Sequence, residues 1–155
     1  MTTLATKFKS EAEPALTQAL SLVSRGFINY VAHHADPVRR AGDEELHNFF
    51  RRAAEEDLGL EEALIALASE RGGGPLGPGA QGLRFGGYNF LNFTRLLDYA
   101  VEMELPADLN AARTLQAATA GTDAAASSLL RWIAQTREDQ LKRATTLREK
   151  LRTGN

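Results

Sequence analysis

Residues 72–88 read GGGPLGPGAQGLRFGGY, eight glycines and two prolines in seventeen positions, and no regular element survives that composition. The run is a loop, and its length decides the fold, because antiparallel helical neighbours need only about two to eight linking residues. Upstream, apolar residues recur at steps of four and three through Leu46, Phe50, Ala53, Leu60, Leu64 and Leu67. A helix of roughly 28 residues, about 42 Å long, therefore leads into the loop. Seventeen extended residues reach about 56 Å. The loop can run the length of that helix and start the next one parallel to it, which is the single crossover of one class of four-helix bundle.

The same rhythm marks three more helices, and the alternation of strands is absent. Helix 1 is expected over about 10–35. Ser10 to Glu13 has capping-box spacing, Pro14 is tolerable in a first turn, and Leu16, Leu20, Val23, Phe27, Tyr30 and His34 form the stripe. Asp36-Pro37 ends it, since the residue before a proline resists the α region. Helix 2 is expected over about 43–71, with Gly42-Asp43 as break and N-cap and Glu44 and Glu45 suiting the helix dipole. Helix 3, about 89–119, carries Phe90, Phe93, Leu97, Ala100, Glu104, Ala107, Ala111, Leu115 and Ala118. Pro106 falls inside that run and costs about 3 kcal/mol unless the helix bends or restarts, so a kink is expected near 105. Gly121-Thr122 supplies a turn and an N-cap for helix 4, about 123–152, whose stripe is Ala126, Leu130, Ile133, Arg137, Gln140, Ala144, Leu147 and Leu151. Lys150 and Arg152 suit its C-terminus. The expected fold is all-α, one domain over residues 1–155.

Three of the stripe residues are charged: Asp57, Glu104 and Arg137. Folding helix 1 on helix 2 about residue 40 brings Val23 opposite Asp57, and folding helix 3 on helix 4 about Gly121 brings Glu104 opposite Arg137. All four then lie at one level near the middle of the bundle. Buried ions cost several kcal/mol each unless paired, so Arg137 is expected to bridge Asp57 and Glu104. Gly26 and Gly59, each about 1 kcal/mol worse than alanine in a helix, fall near the same level. They point to close helix approach or to room for a bulky neighbour such as Trp132.

Composition narrows the function. A chain of 155 residues can bury roughly two-thirds of its unfolded surface. Eighteen Lys and Arg against twenty Asp and Glu, a formal charge of −2, is not the basic balance of a nucleic-acid binder. The absence of cysteine removes disulfides, thiolate metal sites and cysteine nucleophiles and suits a reducing cytoplasm. No window approaches the ~18 apolar residues of a membrane span, and the N-terminus has no apolar leader. Neither nucleic acid nor membrane is an expected partner. The glycine-rich loop lacks the preceding strand and the Gly-Lys-Ser/Thr of a phosphate cradle. Its aromatic end, Phe85 to Phe90, is expected to plug the bundle surface and to offer a docking place for a protein partner. Arg39-Arg40, Arg51-Arg52, Lys142, Arg143, Arg148, Lys150 and Arg152 are interleaved with acids and read as solvated faces. His33, His34 and His47 lie within fifteen residues, and with Glu44, three residues before His47, they form an alternative zinc-type ligand set at one bundle end. Helix-end electrostatics explains the same residues without a metal.

The strings FINYVAHH (27–34), ERGGGP (70–75) and LDYAVEMEL (97–105), set in this helix pattern, make residues 14–151 resemble a degenerate ferritin-like protein of the bacterioferritin and rubrerythrin type. The resemblance implies a di-iron centre built from one Glu on each of helices 1 and 3 and a Glu-x-x-His on each of helices 2 and 4. Carried over position by position, those ligands fall on Val23, on Asp57 and Leu60, on Glu104, and on Arg137 and Gln140. Both imidazoles are missing, and a guanidinium stands in a ligand column. No cofactor is therefore expected. The alternative is iron or another divalent metal held by a rearranged set, Asp57 and Glu104 with Glu56 or Glu138, which the family would make an oxidoreductase or ferroxidase. The function expected is non-enzymatic: a structural or interaction module. The family implies self-association as a dimer or larger homo-oligomer.

Overall fold

The computed structural model describes residues 13–35, 37, 39–71 and 85–154. Its elements are α1 (Glu13–Ser24), α2 (Phe27–His33), α3 (Glu44–Glu70), a 3-10 turn (Gly86–Tyr88), α4 (Phe93–Tyr99), a π-helical turn (Ala100–Glu104), α5 (Leu105–Thr119) and α6 (Ala124–Thr153). No β-strand occurs among the described residues, and no helix among them is long and apolar enough to cross a membrane. Helices α1 and α2 together make the first rod, α3 the second, α4 with the π turn and α5 the third, and α6 the fourth. This is the all-α four-helix bundle read from the stripes.

Two apolar clusters fix the directions of the rods. One holds Phe27 and Val31, Leu46 and Phe50, Phe93 and Leu97, and Ala144 and Leu147. The other holds Leu16 and Leu20, Leu60 and Leu64, Leu109 and Ala112, and Ala126 and Leu130. The end of the first rod thus meets the start of the second, and the start of the third meets the end of the fourth. The second and third rods begin at the same end and run parallel, as the crossover argument requires. Arg71 at the end of α3 pairs with Asp123 at the start of α6, far from Phe93, which stacks on Phe50 with ring centroids 6.2 Å apart. Residues 72–84 of the expected crossover, and the capping box at Ser10, lie outside the described residues.

Four local expectations are corrected. The first rod is not continuous over 10–35: α1 stops at Ser24 and α2 restarts at Phe27, because extended backbone at Gly26 (φ −74°, ψ 173°) breaks the ladder. Asp43 does not cap α3 with its side chain; its carboxylate turns back to accept the N–H of Arg40 at 2.7 Å. The cap of α6 is Asp123 rather than Thr122, accepting the N–H of Ala126 at 3.1 Å, with Gly121 making the turn at φ +86°. The third rod starts at Phe93, capped by Asn92, and not at 89. Of the aromatic plug, Phe85 and Tyr88 pack edge-on against Phe27 at 5.9 and 5.5 Å, whereas Phe90 is 86% exposed.

The π turn settles how Pro106 is accommodated. Proline lacks an N–H and clashes with the carbonyl four residues back. Here the N–H of Leu105 reaches back five residues to the carbonyl of Ala100, and Pro106 sits in the first turn of a new helix. One extra residue in the turn shifts everything after it. Beyond Glu104 the inward positions are Leu105, Asp108, Leu109, Ala112 and Thr119, not the expected Ala107, Ala111 and Ala118.

Candidate functional site

Arg137 lies at the centre of the bundle, fully buried. It reaches that position because α6 keeps an unbroken stripe: Leu130, Ile133, Arg137, Gln140 and Ala144 are all fully buried. From α3, Asp57 meets it in a bidentate pair, Nη1 to Oδ1 at 2.5 Å and Nη2 to Oδ2 at 3.0 Å. Such fork-to-fork geometry adds directional hydrogen bonds to the charge pairing. From α5, Asp108 Oδ2 stands 3.2 Å from Nε. Gln140, one turn along α6, accepts from Nη1 at 2.7 Å and donates from Nε2 to Asp57 Oδ1 at 3.1 Å and to Glu56 Oε2 at 3.1 Å. The network runs outward through Glu56 to Arg143, whose Nη2 donates at 2.5 Å.

The first rod contributes backbone. Breaking the ladder at Gly26 frees the carbonyl of Leu22, and Arg137 Nη2 donates to it at 3.1 Å. A Cβ on Gly26 would stand 2.3 Å from that carbonyl oxygen and 3.7 Å from Nη2. Gly26 is thus the close approach expected of it, but the bulky neighbour is Arg137. Trp132 is half exposed, and the place of a Cβ on Gly59 has nothing within 4 Å.

Electrostatics makes the centre a closed unit. Burial by itself pushes the guanidinium down, but Asp57 and Asp108 outweigh it and hold Arg137 above its ordinary value. A guanidinium so held is charged at neutral pH. The cation is thus paired with two carboxylates, bidentate on Asp57 and as an ion pair with Asp108, and such pairing is what offsets the cost of burying ions.

The expected bridge is therefore half right. Arg137 pairs with Asp57 as expected, but its second acid is Asp108, four residues after Glu104, since the π turn rotated the stripe by one position. The signal for Asp108 was Pro106: a proline absorbed by an inserted residue advances the register beyond it. Glu104 is buried and accepts from the Tyr88 hydroxyl at 3.2 Å. Val23 and Leu60 are fully buried among apolar neighbours.

The other sets do not assemble as written. Glu138 is a surface acid on Arg113 and Lys142, so it does not join Asp57 and Glu104. His33 and His34 are exposed. His34 lies near Tyr30, whereas His47 packs on Phe93 with ring centroids 5.7 Å apart. Among the described residues no group of three or more His, Asp or Glu is placed to hold a metal ion. The six ligand columns do not fit a di-iron centre either: only Asp57 and Glu104 are acids, neither column histidine is present, and Asp57 is already engaged by a guanidinium.

The family model described as Ferritin-like domain matches residues 13–153. No curated protein and no solved structure matches.

Proposed function

The chain belongs to the ferritin-like family, and from that premise we propose that it is a member without a di-iron centre, serving as a structural or interaction module that self-associates. The observation that carries this reading is Arg137, bidentate on Asp57 and fully buried in a ligand column. In the family's arrangement carboxylates converge to neutralise two cations; here a covalently attached cation neutralises the carboxylates. Its planar fork and permanent charge suit it to that role better than a lysine. Metal displacement of the guanidinium would have to strip Asp57, Gln140 and the Leu22 carbonyl of their donor at once. A cytoplasmic location fits the cysteine-free composition.

The test is elemental analysis of untagged protein purified with and without added iron, beside an iron-oxidation assay. The expected result is under about one-tenth equivalent of iron and no oxidation above background, because the imidazoles that such centres use are absent. Stoichiometric iron or manganese, abolished by Asp57→Asn, would overturn the proposal.

A further inference from the structure

Between α3 and α6 the outer surface opens into a hollow of about 710 Å³, within the range of about 300–1,000 Å³ usual for small-molecule sites. Arg52, Arg143 and Lys142 line it, but each is already answered inside the chain: both arginines pair with Glu56, and Lys142 pairs with Glu138. Two further acids of the lining, Glu55 on α3 and Asp139 on α6, have no ion pair among the described residues. Asp139 accepts from the neutral amide of Gln135 at 3.2 Å. The charge left over in the hollow is therefore negative, and it stands on both walls.

The contacts of Asp57 with Arg137, of the Ala53 carbonyl with Gln140 and of Glu45 with Lys150 fix the register of these two antiparallel helices. In that register Glu55 is level with Asp139, and one turn further along α3 Gly59 is level with Thr136. A cation between the first two meets a carboxylate from each side. At Gly59 a Cβ would meet nothing within 4 Å, yet glycine costs about 1 kcal/mol in a helix; the bare backbone keeps the hollow open at that level. Two turns from Asp139, about 10 Å away, stands Trp132, its indole half exposed. Carboxylates, open backbone and indole thus follow one another along the hollow.

We propose that this hollow binds a primary amine carrying an aromatic ring on a short alkyl arm, with the ammonium between Glu55 and Asp139, the arm across Gly59 and the ring on Trp132. An ammonium has three donors, enough to serve both carboxylates, and a ring packed on indole gains aromatic contact as well as buried area. An anionic ligand would meet two unpaired acids, and a bare metal ion would leave the indole and the open backbone unused. The site lies within one copy and is independent of the self-association proposed above.

Trp132 is the chain's only tryptophan, so its emission reports occupancy directly. Phenylbutylamine titrated into the full chain should shift that emission saturably, with a Kd of about 1 mM or tighter, and calorimetry should return the same value. Phenylbutanol, which lacks the charge, and phenylbutyrate, which reverses it, should bind at least about 5-fold more weakly. Glu55→Gln and Asp139→Asn should each weaken the amine about 2- to 5-fold, the size of an exposed ion pair. Gly59→Leu fills the hollow without touching a charge and should abolish binding, with circular dichroism unchanged in all three variants. Phenylbutanol or phenylbutyrate binding as tightly as the amine, Gly59→Leu binding like wild type, the two carboxamide variants together changing nothing, or no saturation at about ten times that Kd overturns the proposal.

Discussion

Truncating Arg137 to alanine tests the centre most directly. The side chain is fully buried and serves Asp57 twice, Asp108, Gln140 and the carbonyl of Leu22. Its removal strands two buried carboxylates without a counter-charge. Breaking a buried pair from one side costs about 3–5 kcal/mol, against a total stability of about 5–15 kcal/mol for a domain. Arg137→Lys should fall between, because it keeps the charge but not the fork. Asp57→Leu, Asp108→Leu and Arg137→Met made together should recover most of the loss, since neither carboxylate is then left buried without its counter-charge. What is left is the acceptors on Leu22 and Gln140 that Arg137 had served, about 1–3 kcal/mol. Urea unfolding followed by circular dichroism measures all three, with an unchanged slope showing that stability alone has moved. If Arg137→Ala shifts stability by under about 0.5 kcal/mol, the pairing is not what holds the centre and the reasoning fails.

Gly26→Ala should cost about 1–3 kcal/mol by overpacking against the Leu22 carbonyl. A double-mutant cycle with Arg137→Ala should show coupling, because both act on that oxygen; additive losses would separate the helix break from the guanidinium. Gly59→Ala should instead stabilise the monomer by about 0.5–1 kcal/mol in thermal or urea melts, since its Cβ meets open space, and a loss would refute that. The hydrogen bond from Arg71, against the opposing effect of burial, and the Ala126 N–H hold the Asp123 carboxyl below its ordinary range. The stability it contributes is therefore complete at neutral pH and is lost as pH falls through the ordinary carboxylate range toward its depressed folded value. Asp123→Ala should cost about 1–2 kcal/mol at pH 7 through the lost cap, and the difference from wild type should shrink on acidification; a difference that grows in acid would contradict the pairing with Arg71.

Periodicity and one loop carried the architecture. The stripe of α6 from Ala126 to Leu147 is buried in the register its apolar spacing implied, because that helix is uninterrupted and 3.6 residues per turn propagates from any point along it. The parallel course of the second and third rods follows from a linker too long for neighbours. Arg137 and Asp57 were legible as charges in apolar columns, and a charge there must find a partner. Asp108 was not legible as that partner, nor the Leu22 carbonyl, since both depend on where a helix departs from its period. Pro106 demanded a departure in the third rod, but whether a kink, a restart or an inserted residue absorbs it depends on what the neighbouring rods can pack against. Likewise Gly26 marked a weak point in the first rod, and only the guanidinium arriving from the fourth gives the freed carbonyl a donor. Local spacing, set by the period of the helix, determined which faces turn inward; the breaks in that period, at Gly26 and at the π turn before Pro106, decided which polar atoms meet at the centre, because one frees a carbonyl for a donor on another rod and the other advances the inward positions beyond it.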